Sequence, residues 1–366
     1  MKTSRSVSLF PLLLALLLLL GACAPAAAPA APAPAATKAP APAVTEAPAA
    51  APETTKAPER TITDMAGRTV VLPEKIETIA TFGSIGVLNA FVELMGQGSK
   101  ICNDMSANFT KNDKWAMQYE FAPQMKGAPV FEEANEIVIE TVLQTKPDIC
   151  FAMTKETVEY LAKNGLTAVY LSWTKPEDVK IAVNLMGEIF GVQDIAADYI
   201  SYFDKIVAEA ETLAAGIGEK KNVLYGSVTE FKQPHIIAEW WIKQAGGVSV
   251  TDNGRGDETL TYTLEDLLKW NPEVIFLSAE QIEDIKKDGK LKDVTAVKNG
   301  AMYVVPTVAH VWGNRTVEQP LTILWAMNKL YPEVMTQDKL KEEIRYFYSH
   351  FFLYEMNDEQ IAKIIG

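Results

Sequence analysis

The stretch IETVLQTKPDICFAM, residues 139–153, recurs as LEDLLKWNPEVIFLS at residues 264–278. The two copies align without a gap. They share a glutamate (Glu140/Glu265), a leucine (Leu143/Leu268), a proline (Pro147/Pro272), an acid (Asp148/Glu273), a β-branched residue (Ile149/Val274) and a phenylalanine (Phe151/Phe276). Each copy reads as a helix that stops before its proline, followed by a short buried strand. The prolines and the apolar positions are explained by packing, whereas packing does not require the glutamates. One chain that spells the same helix–strand step twice reads as two related lobes.

The flanking sequence extends that reading. Residues 60–82 alternate apolar and polar positions around Ala66-Gly67, which predicts a β-hairpin leading into a buried strand over 78–82. Helices over 85–95, 156–164 and 176–190 then alternate with strands over 100–103, 148–153 and 168–171. The second half repeats the alternation with strands over 223–228, 273–277 and 302–305 and helices over 237–245, 320–331, 339–351 and 358–365. Between the halves, Ile195, Tyr199, Tyr202, Ile206, Ala210, Leu213 and Ile217 recur at spacings of three and four, the pattern of one amphipathic helix. It would span roughly 35 Å, about the width of a small domain. The expected fold is α/β: two lobes with mainly parallel sheets (60–193 and 219–366) joined by a long rigid helix (194–218).

The chain has 366 residues, but its first part is not fold. Lys2 and Arg5, the leucine run 12–20 and small residues before Cys23 have the order of an export signal over 1–22. The ending LGAC resembles a lipobox, which makes Cys23 the candidate lipidation site. Residues 23–59 are mostly Ala, Pro and Thr and cannot bury a core, so they read as a tether to a membrane surface. The expected location is extracytoplasmic and lipid-anchored. The net charge of −13 weighs against a nucleic-acid partner. Beyond Cys23 only Cys102 and Cys150 remain. They are expected in strands separated by an intervening one, beyond disulfide reach.

Taken in order, TITDMAGRTVVLPEKIETIATFGS, KPDICFA, YLAKNGLTAVYLS, WNPEVIFLS, HVWGNRTVEQPLTILWAMNKLYPE and FYSHFFLYEMNDEQIAKII cover nearly the whole body. With the lipobox, they resemble the iron-complex and vitamin B12 class of substrate-binding proteins of ABC importers. That resemblance implies two Rossmann-like lobes with the ligand cleft between them, a small-molecule metal complex as ligand and a permease dimer in the membrane as partner; the protein is expected to be a monomer. It also implies that Glu140 and Glu265, one on each lobe, dock onto arginines of the permease. Each of them opens a helix, where a carboxylate is favoured by the dipole.

In open α/β sheets ligands lie beyond the carboxyl ends of the strands, which selects loops as the ligand site. The turn GSIG at 83–86 puts Ser84 and helix-start amides where an anionic group could bind, or is an ordinary strand-to-helix turn. The long segment 103–129 offers Trp115, Met117 and Tyr119 as apolar walls, and Trp173 follows a strand end. The second half offers His235 and Trp240, Arg255 in a Gly-flanked loop, and His310, Trp312 and Arg315 after the last strand. Arginine suits carboxylate or catecholate oxygen, although Arg315 could equally pin its own loop through Glu318.

Of three histidines, His350 lies among aromatics of a C-terminal helix and reads as structural. The remaining two cannot build the usual three-histidine site for a bare metal ion. The expected ligand is therefore a pre-chelated metal, above all a ferric siderophore, with haem or cobalamin as alternatives; no cofactor is expected. The expected role is capture and delivery. The other classes weighed, a chelatase-like enzyme and a surface sensor, find no nucleophile elbow, phosphate loop or metal-ligand spacing to support catalysis, and a sensor would not need the paired glutamates.

Overall fold

The computed structural model describes residues 59–366 apart from Ser84, Asn112, Asn135 and residues 279–281. The readings placed on the leader, on the tether, on Cys23 and on Ser84 lie outside these residues. No helix among the described residues is long and apolar enough to cross a membrane.

The hairpin forms with Thr61–Thr63 antiparallel to Thr69–Val71. Two parallel sheets follow. In the first, the Ile79–Thr81 strand pairs with Ile149–Ala152, which pairs with Ala168–Tyr170. In the second, Asn222–Gly226 lies between Val248–Ser249 and Val274–Leu277, and Met302–Val304 closes the far edge. The strand expected over 100–103 is instead a single turn of 3₁₀ helix, Gly98–Lys100, and one parallel bridge from Ile101 to Ile79. That bridge occupies the position beside the first strand that Val248–Ser249 holds in the second sheet. The two sheets therefore share one strand order, the spatial counterpart of the sequence repeat.

The repeat's strand residues divide by face. Ile149 and Phe151, and likewise Val274 and Phe276, point into one continuous core that also takes in Tyr199, Phe203 and Ile206 of the connecting helix. Cys150 and Ala152 face a separate outer core of the first sheet, and Ile275 and Leu277 face that of the second. Period-two alternation with both faces covered explains why these strands read as unbroken apolar runs. The inner faces meet on the Gln193–Ala215 helix, whose C-cap is Gly216. The two sheets thus share a core through the connector.

A second tie was not foreseen. Phe121, on the short Ala116–Phe121 helix within the segment expected to be irregular, packs its ring 5.7 Å from Tyr348, 5.0 Å from Phe352 and 5.2 Å from Tyr354. The closing part of the chain thereby grips the first half, and Tyr354 donates to Glu120 at 3.3 Å. His350 meets Asp198 of the connector at 2.5 Å and stacks on Tyr346.

Cys102 and Cys150 are free thiols. Cys102 donates its amide to Ile79 and Cys150 sits in register with Ala80, so the Ile79–Thr81 strand separates them as expected. Burial pushes the Cys102 thiol up to about 11 and that of Cys150 higher. Thiolate is the reactive species. Iodoacetamide at pH 8 should therefore leave both unlabelled in the native body and label both in guanidinium; rapid native labelling of Cys150 would contradict the buried placement.

Candidate functional site

The site is organised by the loop 306–317 that follows the Met302–Val304 strand. Its underside is held by Glu318, a fully buried carboxylate that accepts the amides of Ala309 (3.0 Å) and His310 (2.7 Å), the Trp312 indole N–H (3.0 Å), the Thr316 hydroxyl (3.0 Å) and the Tyr348 hydroxyl. Burial raises the Glu318 pKa, opposed by these donors. Five donors converging on one carboxyl fix the loop's path, because each would be left unsatisfied without it. Gly313 is required as well: a Cβ there would lie 2.5 Å from the Tyr225 ring.

From above, residues of the first half close on this loop. Gln118 donates to Ala309 O at 2.5 Å and to Gly86 O at 3.2 Å. Arg315 Nη1 donates to Trp173 O at 3.0 Å, and the Trp173 indole returns a long bond of 3.4 Å to Arg315 O. Trp115 lies on His310 with ring centroids 5.3 Å apart, and edge-on to Phe109 at 5.1 Å. Only glycine fits at position 86, where a Cβ would meet Trp115 at 2.7 Å and His310 Nδ1 at 3.3 Å.

His310 is buried, and its Nδ1 has no hydrogen-bond partner. Burial first, then the charges of His235, Lys114 and Arg315, lower its pKa to about 3, so its imidazole is neutral. Beside it, His235 Nδ1 meets Glu258 Oε1 at 2.7 Å, and Arg315 Nε meets the same oxygen at 3.2 Å. The second Glu258 oxygen is buried and unpartnered. One carboxylate thus orients an imidazole and a guanidinium together. The Trp115 indole and the guanidinium of Arg315 thus stand close to two imidazoles, and guanidinium and ring N–H groups are donors suited to oxygen-rich anions.

Of the residues singled out from sequence, the structure brings together Trp115, His310, His235 and Arg315, and Trp173 joins through its carbonyl and its indole. The others turn elsewhere. Trp312 is buried on Glu318, and Trp240 stacks on Phe203 of the connector at 5.9 Å. Tyr119 donates to Asp104 at 2.7 Å, and Met117 faces Gln360. Arg255 pairs with Glu239 and donates to Thr251 O and Asp257 O, pinning its own loop. Arg315 does not pair with Glu318. At the GSIG turn, the Gly83 amide is already bonded to Glu132 at 2.8 Å, so the protein's own carboxylate occupies that donor. Glu140 and Glu265 are exposed.

Sequence reasoning missed Glu258, Lys114 and Gln118 and misassigned Glu318. Glu258 closes the same Gly-rich loop that carries Arg255, but nothing in its spacing ties it to His235 or Arg315.

The chain was compared with known families and structures. A family model described as "Periplasmic binding protein" matches residues 101–309. The molybdate-binding protein MolA of Haemophilus influenzae is 20% identical over 83% of this chain and 94% of its own length. Its structure with molybdate superposes with a TM-score of 0.71 at 18% identity, over 82% of this chain and 99% of that one. The iron(3+)-hydroxamate-binding protein YxeB of Bacillus subtilis is 25% identical over 52% of this chain and 53% of its own. A periplasmic solute binding protein of Veillonella parvula superposes with a TM-score of 0.72 at 22% identity, over 83% of this chain and 96% of that one.

Proposed function

Because the chain belongs to the periplasmic binding protein family, and so serves as the substrate-binding component of an ABC transporter, we propose that it captures an oxygen-rich anionic metal complex, a ferric siderophore, and hands it unchanged to the permease. The observation that carries this reading is the meeting of Trp115 with His310 beside His235 and Arg315, a wall and a set of donors drawn from both halves. Residues supplied by both halves let a ligand report on closure. We further infer that Cys23 carries a lipid anchor and that the protein works as a monomer outside the cytoplasm.

A second reading, a molybdate-type oxyanion, is favoured by the match to MolA over nearly its full length.

Both are tested by titrating tryptophan fluorescence with a panel of ferric hydroxamates and catecholates, haem, cobalamin, molybdate and tungstate. The expected outcome is one class binding below roughly 10 μM, near −7 kcal/mol, and recovered chemically intact. Binding of haem or cobalamin alone would replace the ligand class, a converted product would replace the carrier with a catalyst, and no binding by any member would end the proposal.

A further inference from the structure

The duplicated segment is closer to symmetric in space than in sequence. The Ile139–Thr145 and Leu264–Trp270 helices both end on a left-handed residue, Lys146 at φ 53° and Asn271 at φ 43°. A buried proline follows each, Pro147 and Pro272. The next acid accepts backbone amides at the start of the first strand of its sheet: Asp148 from Glu77 and Thr78 at 2.8 Å each, Glu273 from Asn222 at 2.9 Å. The β-branched residue and the phenylalanine face the shared core. Local structure and packing thus account for four of the six shared positions.

The two left over are the glutamates and, against the expectation of packing, the leucines. Leu143 is 39% exposed and Leu268 44%. In each helix the inward position is taken by the preceding residue, Val142 or Leu267, both fully buried. Residues three apart share a helix face, so each copy presents one glutamate and one leucine side by side to solvent. A single exposed leucine needs no explanation. Two at the same place of a duplicated unit, each next to the same acid, do.

Their location suits one kind of partner. Before the first helix, Glu132 pairs with Ile137 and reaches Gly83, just past the Ile79–Thr81 strand. Before the second, Tyr262 donates to Ser227 O, just past the Asn222–Gly226 strand. Both patches therefore start at the carboxyl edges of the sheets.

We propose that Leu143 and Leu268 are paired apolar contacts for the two subunits of the membrane permease, each subunit offering an apolar hollow next to a basic side chain. The inference rests on the carrier reading and adds to it a second, uncharged half of the docking surface. The acids steer and orient the encounter, whereas the leucines hold it by leaving water. A duplicated patch on a single chain matches a partner built from two like subunits.

The test places the photo-crosslinker p-benzoylphenylalanine singly at positions 143, 268, 140, 265 and, as an exposed control, 181 in the full chain in cells. Positions 143 and 268 should trap the same integral membrane polypeptide and position 181 should not. In parallel, Leu143→Ser with Leu268→Ser should lower cellular uptake of radiolabelled ferrioxamine B or molybdate, whichever quenches the tryptophans, by about tenfold or more. Its affinity for that probe and its melting temperature should stay unchanged. Trapping from 140 and 265 but not from 143 and 268 would overturn the leucine inference and leave the carrier standing. Trapping of a second copy of this chain would reassign the patch to self-association. No membrane protein trapped from any of the four, with normal uptake by the leucine variant, would overturn the docking surface as a whole.

Discussion

Reversing both exposed acids of the repeat, Glu140→Arg with Glu265→Arg, is expected to abolish uptake while the affinity for ligand in solution is unchanged. Neither residue touches the Trp115–His310 contact or the Glu258 cluster, and both side chains are exposed, so folding and capture lose nothing. At the permease, the variant would set like charges against the arginines that the resemblance implies. Juxtaposed like charges cost several kcal/mol, which is a hundredfold or more in affinity. Single reversals should give intermediate losses, because each lobe would address its own subunit. Uptake by whole cells, set beside fluorescence titration of the purified protein, separates docking from capture. Normal uptake by the double variant would remove both glutamates from the docking surface.

The second large effect concerns the buried hub. Glu318→Ala is expected to destabilise the fold by about 3–5 kcal/mol, the range seen when one member of a buried charged network is deleted, with a fall in melting temperature on the order of 10 °C. Two backbone amides, an indole, a threonine hydroxyl and the Tyr348 hydroxyl would lose their buried acceptor. Glu318→Gln should cost less, since its amide keeps one acceptor oxygen. Because the same loop carries His310 and Arg315, ligand affinity should fall with stability. Melting of the alanine variant within 2 °C of the parent would refute the hub.

Glu93 adds a pH dependence to that core. It is 4% exposed, neither oxygen has a hydrogen-bond partner, and burial, then the charge of Glu318, hold its pKa well above the ordinary glutamate value of 4.5. A raised acid binds its proton more tightly folded than unfolded. Its contribution is full below 4.5 and is lost as pH rises through the raised value. Tyr348, Tyr199 and Glu318 are the titratable groups that share this region. In the same melting series, Glu93→Gln should flatten the decline in stability on the alkaline side of 4.5.

Much of this architecture is legible in the sequence. The repeat announced two equivalent parallel sheets, the three- and four-residue spacing announced the connector, and the separation of Cys102 from Cys150 followed from the expected strand order. These features are local or periodic, and the pattern of apolar residues along the chain is their physical cause. The segment after the first strands was read as irregular because its helices, such as Ala116–Phe121, are too short to show a period.

The site was legible only as a set of loops. Trp115, His310, His235 and Arg315 meet, whereas Trp240, Trp312, Tyr119, Met117 and Arg255 turn to internal partners. An aromatic or charged residue in a loop does not reveal from its neighbours in sequence which way it will point. The leucines of the repeat went the same way: in a seven-residue helix, one apolar position more or less does not define a face.

The sequence by itself therefore determined the α/β alternation, the duplication and the long connector, because periodic burial along one chain suffices to specify them. Only the tertiary structure decided that Glu258 ties His235 to Arg315, that Glu318 carries the 306–317 loop, and that Leu143 and Leu268 face water. Those facts depend on side chains far apart in sequence meeting, or failing to meet, across the core that the two sheets share.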